Sequence, residues 1–484
     1  MMNRKKENSK IRLLIALILF AVYAGCTVGP DYKPVREDMP AEWPSAEKQD
    51  DSIAQAAEAD SLVQWWTTLE DPILSDLVKR GLSGNKDLKI ALTRIRQARA
   101  VLGTAHRALH PSVTGSALYS RSQTGTPTAE DPEPSAFSIG SDYYDAGFDA
   151  SWEIDLFGKK HHSIEAAAAD LDASGDGYRS VQVSMVSEIA SNYVKLRTLQ
   201  KQLEIVSRNL EMQEKALSVL EDQAEAGLIG SLQVQQARYN VENTRARIPD
   251  YRTSIEESLN SLAILLGEMP GDLHEELSAP APVPVPGVEI IAGIPADILR
   301  RRPDIRQAER SLAAQTARVG VATADLYPSL SLSGTLGLTA YSRDNFFSDE
   351  NAALSISPFI SIPLFNRKKI RDQIEVQNAI QERTLIEYET TVLDAIKEVR
   401  DAIMAYGEEQ KRYRILKKGT AEARMALDIA DERFRSGLVD FLVVLDAQRA
   451  LLSFEETQIS SQGTITLDLI RLYKALGGGW DPES

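Results

Sequence analysis

The chain of 484 residues has a single cysteine, five histidines and only 6% aromatic residues. One cysteine cannot close an internal disulfide. The only adjacent histidines, His161 and His162, face different directions on a helix, and no further Cys or spaced His completes a metal site. With Lys159 and Lys160 beside them, they read as a solvated basic cluster. No catalytic or metal-ligating residue is therefore assigned and no cofactor is expected, and no segment resembles a nucleotide-binding loop or a proton relay. Cations are also short: 54 Lys and Arg against 70 Asp and Glu give a net charge of -16. A surface this acidic repels nucleic acid and anionic membrane faces, which removes both as partners. Long hydrophobic runs are missing too. The longest, Leu13 to Tyr23, is too short for a comfortable transmembrane helix. What is abundant is Ala, Leu, Gln, Glu and Arg, the composition of long helices.

The short apolar run follows the basic stretch MMNRKKENSKIR and ends at Ala24-Gly25-Cys26, the order of an export signal. Removing residues 1–25 takes away five cations and one anion, leaving 49 against 69, or -20. Small residues followed by Cys resemble a bacterial lipobox, in which the Cys26 thiol takes a diacylglycerol and becomes the mature N-terminus. Ordinary signal cleavage with an incidental Cys26 also fits these residues. From 26 to 60 the chain is Pro-rich, acidic and without period, an extended arm with Trp43, and with Trp65 and Trp66 just beyond it, as docking points.

The remainder is written twice. Asp87 to Ser112 aligns without a gap on Asp304 to Ser329, with Gly103/Gly320, Pro111/Pro328 and Ser112/Ser329 among the coincident pairs. A duplicated unit usually buries its apolar surface only by stacking on another copy. The repeats occupy 61–278 and 294–477, separated by a Pro-rich linker over 279–293 and followed by a tail over 478–484. Each reads as a helix, Pro-Ser, two strands and a long helical hairpin. Ser329 to Ala340 sets Leu330, Leu332, Leu336 and Leu338 opposite Ser and Thr, and Leu354 to Ile362 does the same with its own aliphatics. Such alternation gives one apolar and one wet face. Val113 to Ser120 and Tyr144 to Trp152 hold the equivalent places. Polar loops, Arg121 to Asp142 and Ser342 to Asn351, join each pair. Four strands cannot close a transmembrane barrel, and open edges are forbidden in lipid. The strands therefore pair across identical chains, or they form a small soluble sandwich.

The helices carry the stronger signal. Leu196, Leu203, Leu210, Leu217 and Ala224 recur every seven residues, as do Val392, Val399, Tyr406, Tyr413, Leu427 and Phe434. A sustained heptad predicts a supercoiled seam with neighbouring helices. Gly175 and Gly177 predict a bend in the first long helix. Each hairpin turns at a matched tip, Gly227-Leu228 and Gly437-Leu438, with Ser231 or Asp440 as cap of the return helix. The return helices run to Leu266-Gly267 and Leu476-Gly477.

Five motifs on this frame carry a family likeness: Gly25 to Tyr32, WEIDLFG at Trp152 to Gly158, IPADILRRRPDIRQAE at Ile294 to Glu309, LVVLDAQR at Leu442 to Arg449, and LYKALGGG at Leu472 to Gly479. With them the chain resembles a TolC-like outer-membrane efflux protein of the NodT lipoprotein branch. The resemblance implies a mostly α fold with a small β part that, as a homotrimer, forms a twelve-stranded outer-membrane β-barrel continued by a long periplasmic α-helical barrel. It also implies a passive exit duct lipid-anchored to the outer membrane, working with a periplasmic adaptor protein and an inner-membrane efflux pump. Leu442 and Asp446, four apart and on one side of the return helix, match the constriction that closes the resting duct. The same spacing fits Leu442 as a seam residue and Asp446 as a solvated position. In the first repeat the equivalents are Leu232 and Gln236, so only the second hairpin supplies the carboxylate. Gly227, Leu228, Gly437 and Leu438 match adaptor-docking tips, and Phe434 and Arg435 match an aromatic-basic latch between neighbours in the closed state. A rival reading is a lipid-anchored periplasmic coiled-coil spacer without a pore. It accounts for Cys26 and the heptads but leaves the Leu/Ser alternation of Ser329 to Ala340 unexplained.

Overall fold

A computed structural model describes residues 27–34, 62–125, 138–285 and 296–481. The export signal, Cys26 and Trp43 lie outside the described residues, as do most of the arm, the middle of the first polar loop and part of the Pro-rich linker. The element order repeats the duplication: α1 (Pro72–Gly84), α2 (Lys86–Arg107), β1 (Ser112–Gly125), β2 (Ser138–Ile154), α3 (Lys159–Glu225), α4 (Ser231–Arg245), α5 (Ile248–Leu266) and α6 (His274–Leu277), then α7 (Pro303–Ala324), β3 (Ser329–Ala340), β4 (Ala352–Ser361), α8 (Arg367–Arg435) and α9 (Phe441–Ala475). By contacts the chain divides into two compact units. One is Met1–Val35, Ile95–Ala173 and Ala308–Tyr388; the other is Arg36–Arg94, Ser174–Gln307 and Glu389–Ser484. Each unit draws segments from both repeats.

The first unit holds one antiparallel sheet in the order β1-β2-β3-β4. Its central seam, Phe148 opposite Leu336 and Trp152 opposite Leu332, joins the two repeats. The register aligns the period-two pattern across all four strands. Val113, Ala150, Phe148, Trp152, Leu332, Leu336, Leu354, Ile356 and Ile360 share one face, and Ser116, Asp145, Asp149, Ser331, Ser333, Thr335, Ser355 and Ser357 share the other. The apolar face is uncovered: Phe148 is 62% exposed and Leu354 72%. The outer sides of β1 and β4 have no strand partner among the described residues. Both first-repeat strands outrun their weak alternation and take in the ends of the expected loop, because β1 and β2 stay paired as far as Gly125 and Ser138. The arm docks in this unit as well. Val28 N–H donates to Phe157 O (3.2 Å) and Tyr32 hydroxyl to Glu309 (3.1 Å).

His162 departs from the solvated basic cluster that its neighbours suggest. It is buried, its ring between Glu165 (2.7 Å) and Val28 O (3.1 Å) against the glycine face of α7 at Gly320.

The second unit is built on α1, whose Leu74, Leu77 and Val78 are fully buried, with Gly81 close to Ile189 and Met185. Trp65 and Trp66 are core residues here, Trp65 stacking on Tyr473 at 5.1 Å. Arg302 bridges to Asp304 (2.6 Å) and adds Glu398 (2.8 Å). The long helix α3 continues through Gly175 and Gly177, a mid-helix glycine costing only about 1 kcal/mol. Two helical expectations change. The first return helix is two helices, broken at Ala246 and Arg247. Pro249 is the cause: it sits in the first turn of α5, where its missing N–H is tolerated. Ser231 opens α4 without capping it; Gly230 is the N-cap and makes no side-chain bond.

Candidate functional site

The two hairpin tips are built alike. Gly227 and Gly437 take φ of 71° and 70°, the left-handed conformation that glycine adopts without a Cβ penalty. Their N–H groups donate to Ala224 O (3.0 Å) and Phe434 O (2.9 Å), while Leu228 and Leu438 donate to Gln223 O and Arg433 O (both 2.9 Å). This is the Schellman pattern, which satisfies the last carbonyls of a helix. In that motif the residue after glycine often packs back on its helix. Leu228 and Leu438 instead stand 74% and 75% exposed, so each tip presents a bare leucine. Asp440 then caps α9, accepting from Leu442 N–H (3.3 Å).

Just behind the tips lies a shared core in which Leu220, Val234, Ala237, Ala430, Phe441, Val444 and Leu445 from α3, α4, α8 and α9 come together. Phe434 packs on this core, its ring 5.2 Å from Phe441 and tilted by 58°. Arg435 points the other way, 77% exposed, and pairs with Asp431 one turn back at 2.6 Å. Within one chain, then, Phe434 staples the hairpin and Arg435 has a local carboxylate.

Leu442 is 43% exposed and the Asp446 side chain 68%. Val444 and Leu445 point into the core while Leu442 and Asp446 point away from it, as their four-residue spacing requires. Sequence reasoning missed Arg449. It sits one turn from Asp446 at 3.8 Å, donates to Asn240 Oδ1 (2.9 Å) and lies over the Tyr239 ring at 6.0 Å. The carboxylate therefore carries a guanidinium neighbour held in place by α4. A signal for it exists, since Asp446 and Arg449 are three apart on a helix.

A second polar level, also missed, is set into the same seam. Glu455 is buried and accepts from Arg208 (3.0 Å), Asn209 (3.4 Å) and Arg424. Glu456 accepts from Tyr251 (2.9 Å) and pairs with Arg247 (2.8 Å). Burial, reinforced by the Glu456 hydrogen bond and charge, pushes the Tyr251 hydroxyl up to about 12, so it remains a donor throughout the ordinary range. Two adjacent glutamates give no warning in a heptad pattern, because only the neighbouring helices show that both are buried.

The geometry agrees with what the chain resembles. The family model described as outer membrane efflux protein matches residues 77–268 and 294–478. A Pseudomonas putida protein named solvent efflux pump outer membrane protein SrpC is 31% identical over 468 residues, 96% of this chain and 98% of that one. Nodulation protein T of Rhizobium leguminosarum bv. trifolii is 29% identical over 463 residues, covering 95% and 96%. Among solved structures, the outer-membrane channel OprN superposes with a TM-score of 0.85 at 35% identity, over 94% of this chain and 100% of the other.

Proposed function

The chain belongs to the outer membrane efflux protein family, and from that we propose that it is the outer-membrane duct of a tripartite efflux system. Three copies would give three times four strands to one twelve-stranded barrel. Their hairpins would form the periplasmic tube. Solutes delivered by an inner-membrane pump through a periplasmic adaptor would leave passively, the pump supplying the energy. Cys26, acylated, would anchor the arm in the outer membrane.

One observation carries the reading. The sheet has an uncovered apolar face, a polar face lined by Asp145, Asp149 and Ser/Thr, and two edges unpaired among the described residues. In lipid every backbone group must be paired and the apolar side must face outward. A ring of identical sheets meets both demands, and a pore-free spacer would need neither.

At the periplasmic end, three Leu442 and three Asp446 side chains would ring the axis, with Leu228 and Leu438 presented to the adaptor. Carboxylates brought together repel when ionised. Arg449 beside each Asp446 offsets part of that repulsion and favours the closed ring. The purified protein is expected to run as a trimer on unboiled gels and to conduct ions in planar bilayers. A monomer without conductance sinks the duct. Leu442→Ala is expected to raise the conductance by removing the apolar ring, and Asp446→Ala to raise it by leaving the three Arg449 guanidinium groups uncompensated; unchanged values would return both residues to ordinary helix positions. Mass spectrometry of the mature N-terminus tests the anchor, and an unmodified Cys26 refutes it.

A further inference from the structure

Away from the tips, α3, α8 and α9 enclose a groove of 320 Å³ whose charge is opposite to that of the chain. Lys201 and Arg208 line one wall and Lys417 and Arg424 the other, with Glu455 in the floor. Four cations against one carboxylate leave the groove at +3 in a chain of net charge -16. The floor carboxylate is spoken for. Its oxygens are held by Arg208 and Arg424, whose side chains remain 50% and 59% exposed. Lys201 shares Glu204 at 2.8 Å, and Lys417 has no ion-pair partner among the described residues.

The groove also has a direction. Glu455 is nine residues beyond Asp446 on α9, about two and a half turns, and so lies on the opposite side of that helix. If Asp446 faces the duct, the groove faces the periplasm; this step rests on the function proposed above. On each wall the two cations are seven residues apart, about 10 Å along the helix.

We propose that this groove binds an acidic peptide segment of a periplasmic partner, at a surface separate from the hairpin tips. A single phosphate cannot reach cations spaced about 10 Å along both walls, whereas carboxylates spread along a peptide can pair with all four. Range selects the same ligand. Charge is screened beyond about 8 Å at physiological salt, so a short acidic segment feels the groove, while a long polyanion or an anionic membrane also meets the acidic remainder of the chain.

The test uses the full mature protein in detergent and a fluorescein-labelled, alanine-based 18-residue peptide carrying Glu at i and i+7 on one face. Lys201 and Lys417 are the residues to change, because Arg208 and Arg424 hold the buried Glu455 and their loss would disturb the fold. The peptide is expected to bind, to weaken roughly ten-fold between 50 and 300 mM salt, and to weaken at least roughly ten-fold more in Lys201→Glu/Lys417→Glu. The milder Lys201→Gln/Lys417→Gln pair is expected to fall between. No binding to the native protein overturns the proposal, and so does equal affinity in either variant once gel mobility and circular dichroism match. Pyrophosphate binding that the variants abolish, with no peptide binding, overturns it in favour of a small-anion site. Peptide binding by a protein without conductance would uphold the groove and sink the duct, whereas conductance without peptide binding sinks the groove alone.

Discussion

Asp468 shows how a single carboxyl in the helical seam can work against the fold. Its side chain is 7% exposed, and it pairs with the exposed Arg471 at 3.0 Å. Burial pushes its pKa above the ordinary aspartate value; Arg471 pulls it back and Glu409 pushes it further up. A carboxyl with a folded pKa above its unfolded one lowers stability as pH rises past the unfolded value, about 3.9, and the loss grows until pH exceeds the folded value. Asp468→Asn removes that loss. The variant is expected to unfold at a higher denaturant concentration than the native protein at pH 7 and at the same one at pH 3.5, read by circular dichroism. A variant no more stable at pH 7 would show that Arg471 already compensates the burial. At this scale the sequence is partly legible. Leu442 and Asp446 stand out because a four-residue spacing names its own face. Glu455 and Asp468 do not, since a glutamate or aspartate in a heptad is ordinarily solvated, and only the packing of neighbouring helices buries these two.

At the scale of the element, the matched tips depend on backbone conformation rather than contacts. A Cβ on Gly227 or Gly437 would meet nothing within 4 Å, so the cost of a side chain there is the left-handed φ alone. Gly437→Ala is expected to destabilise its hairpin end by about 1 kcal/mol, seen as faster amide exchange of Leu438 and its neighbours. Gly437→Asn should cost less, because Asn tolerates this conformation. Equal exchange in the alanine variant would mean that the tip does not need the Schellman turn. Glycine followed by leucine at the end of each long heptad run makes both turns legible in the sequence. The break between α4 and α5 is marked just as openly by Pro249, but the tip-to-Gly267 segment reads as one helix because its apolar pattern continues across the break. In α3, Gly175 and Gly177 do not end the helix, which continues through 67 residues, because a mid-helix glycine costs only about 1 kcal/mol.

For the whole molecule, the question is what closes the sheet. β1 and β4 span 14 and 10 residues, and the outer edge of each has no strand partner among the described residues. Unpaired groups in lipid cost several kcal/mol apiece, more in total than a domain's entire stability of about 5–15 kcal/mol. The strands are therefore expected to exist only in the assembly. On heating in detergent, strand signal in far-UV circular dichroism and the slow-running trimer band on unboiled gels should vanish in one coincident transition. A monomer that keeps its strand signal would show that the sheet is self-sufficient and that ring closure is not what pairs its edges. The duplication makes the same demand from another direction. β2 and β3 already join repeat to repeat inside the chain through Phe148 and Leu336. The contact of β4 with β1 of the next copy would be the second repeat-to-repeat seam, which cannot form within one chain. Loss of the trimer and loss of the barrel would then be a single event.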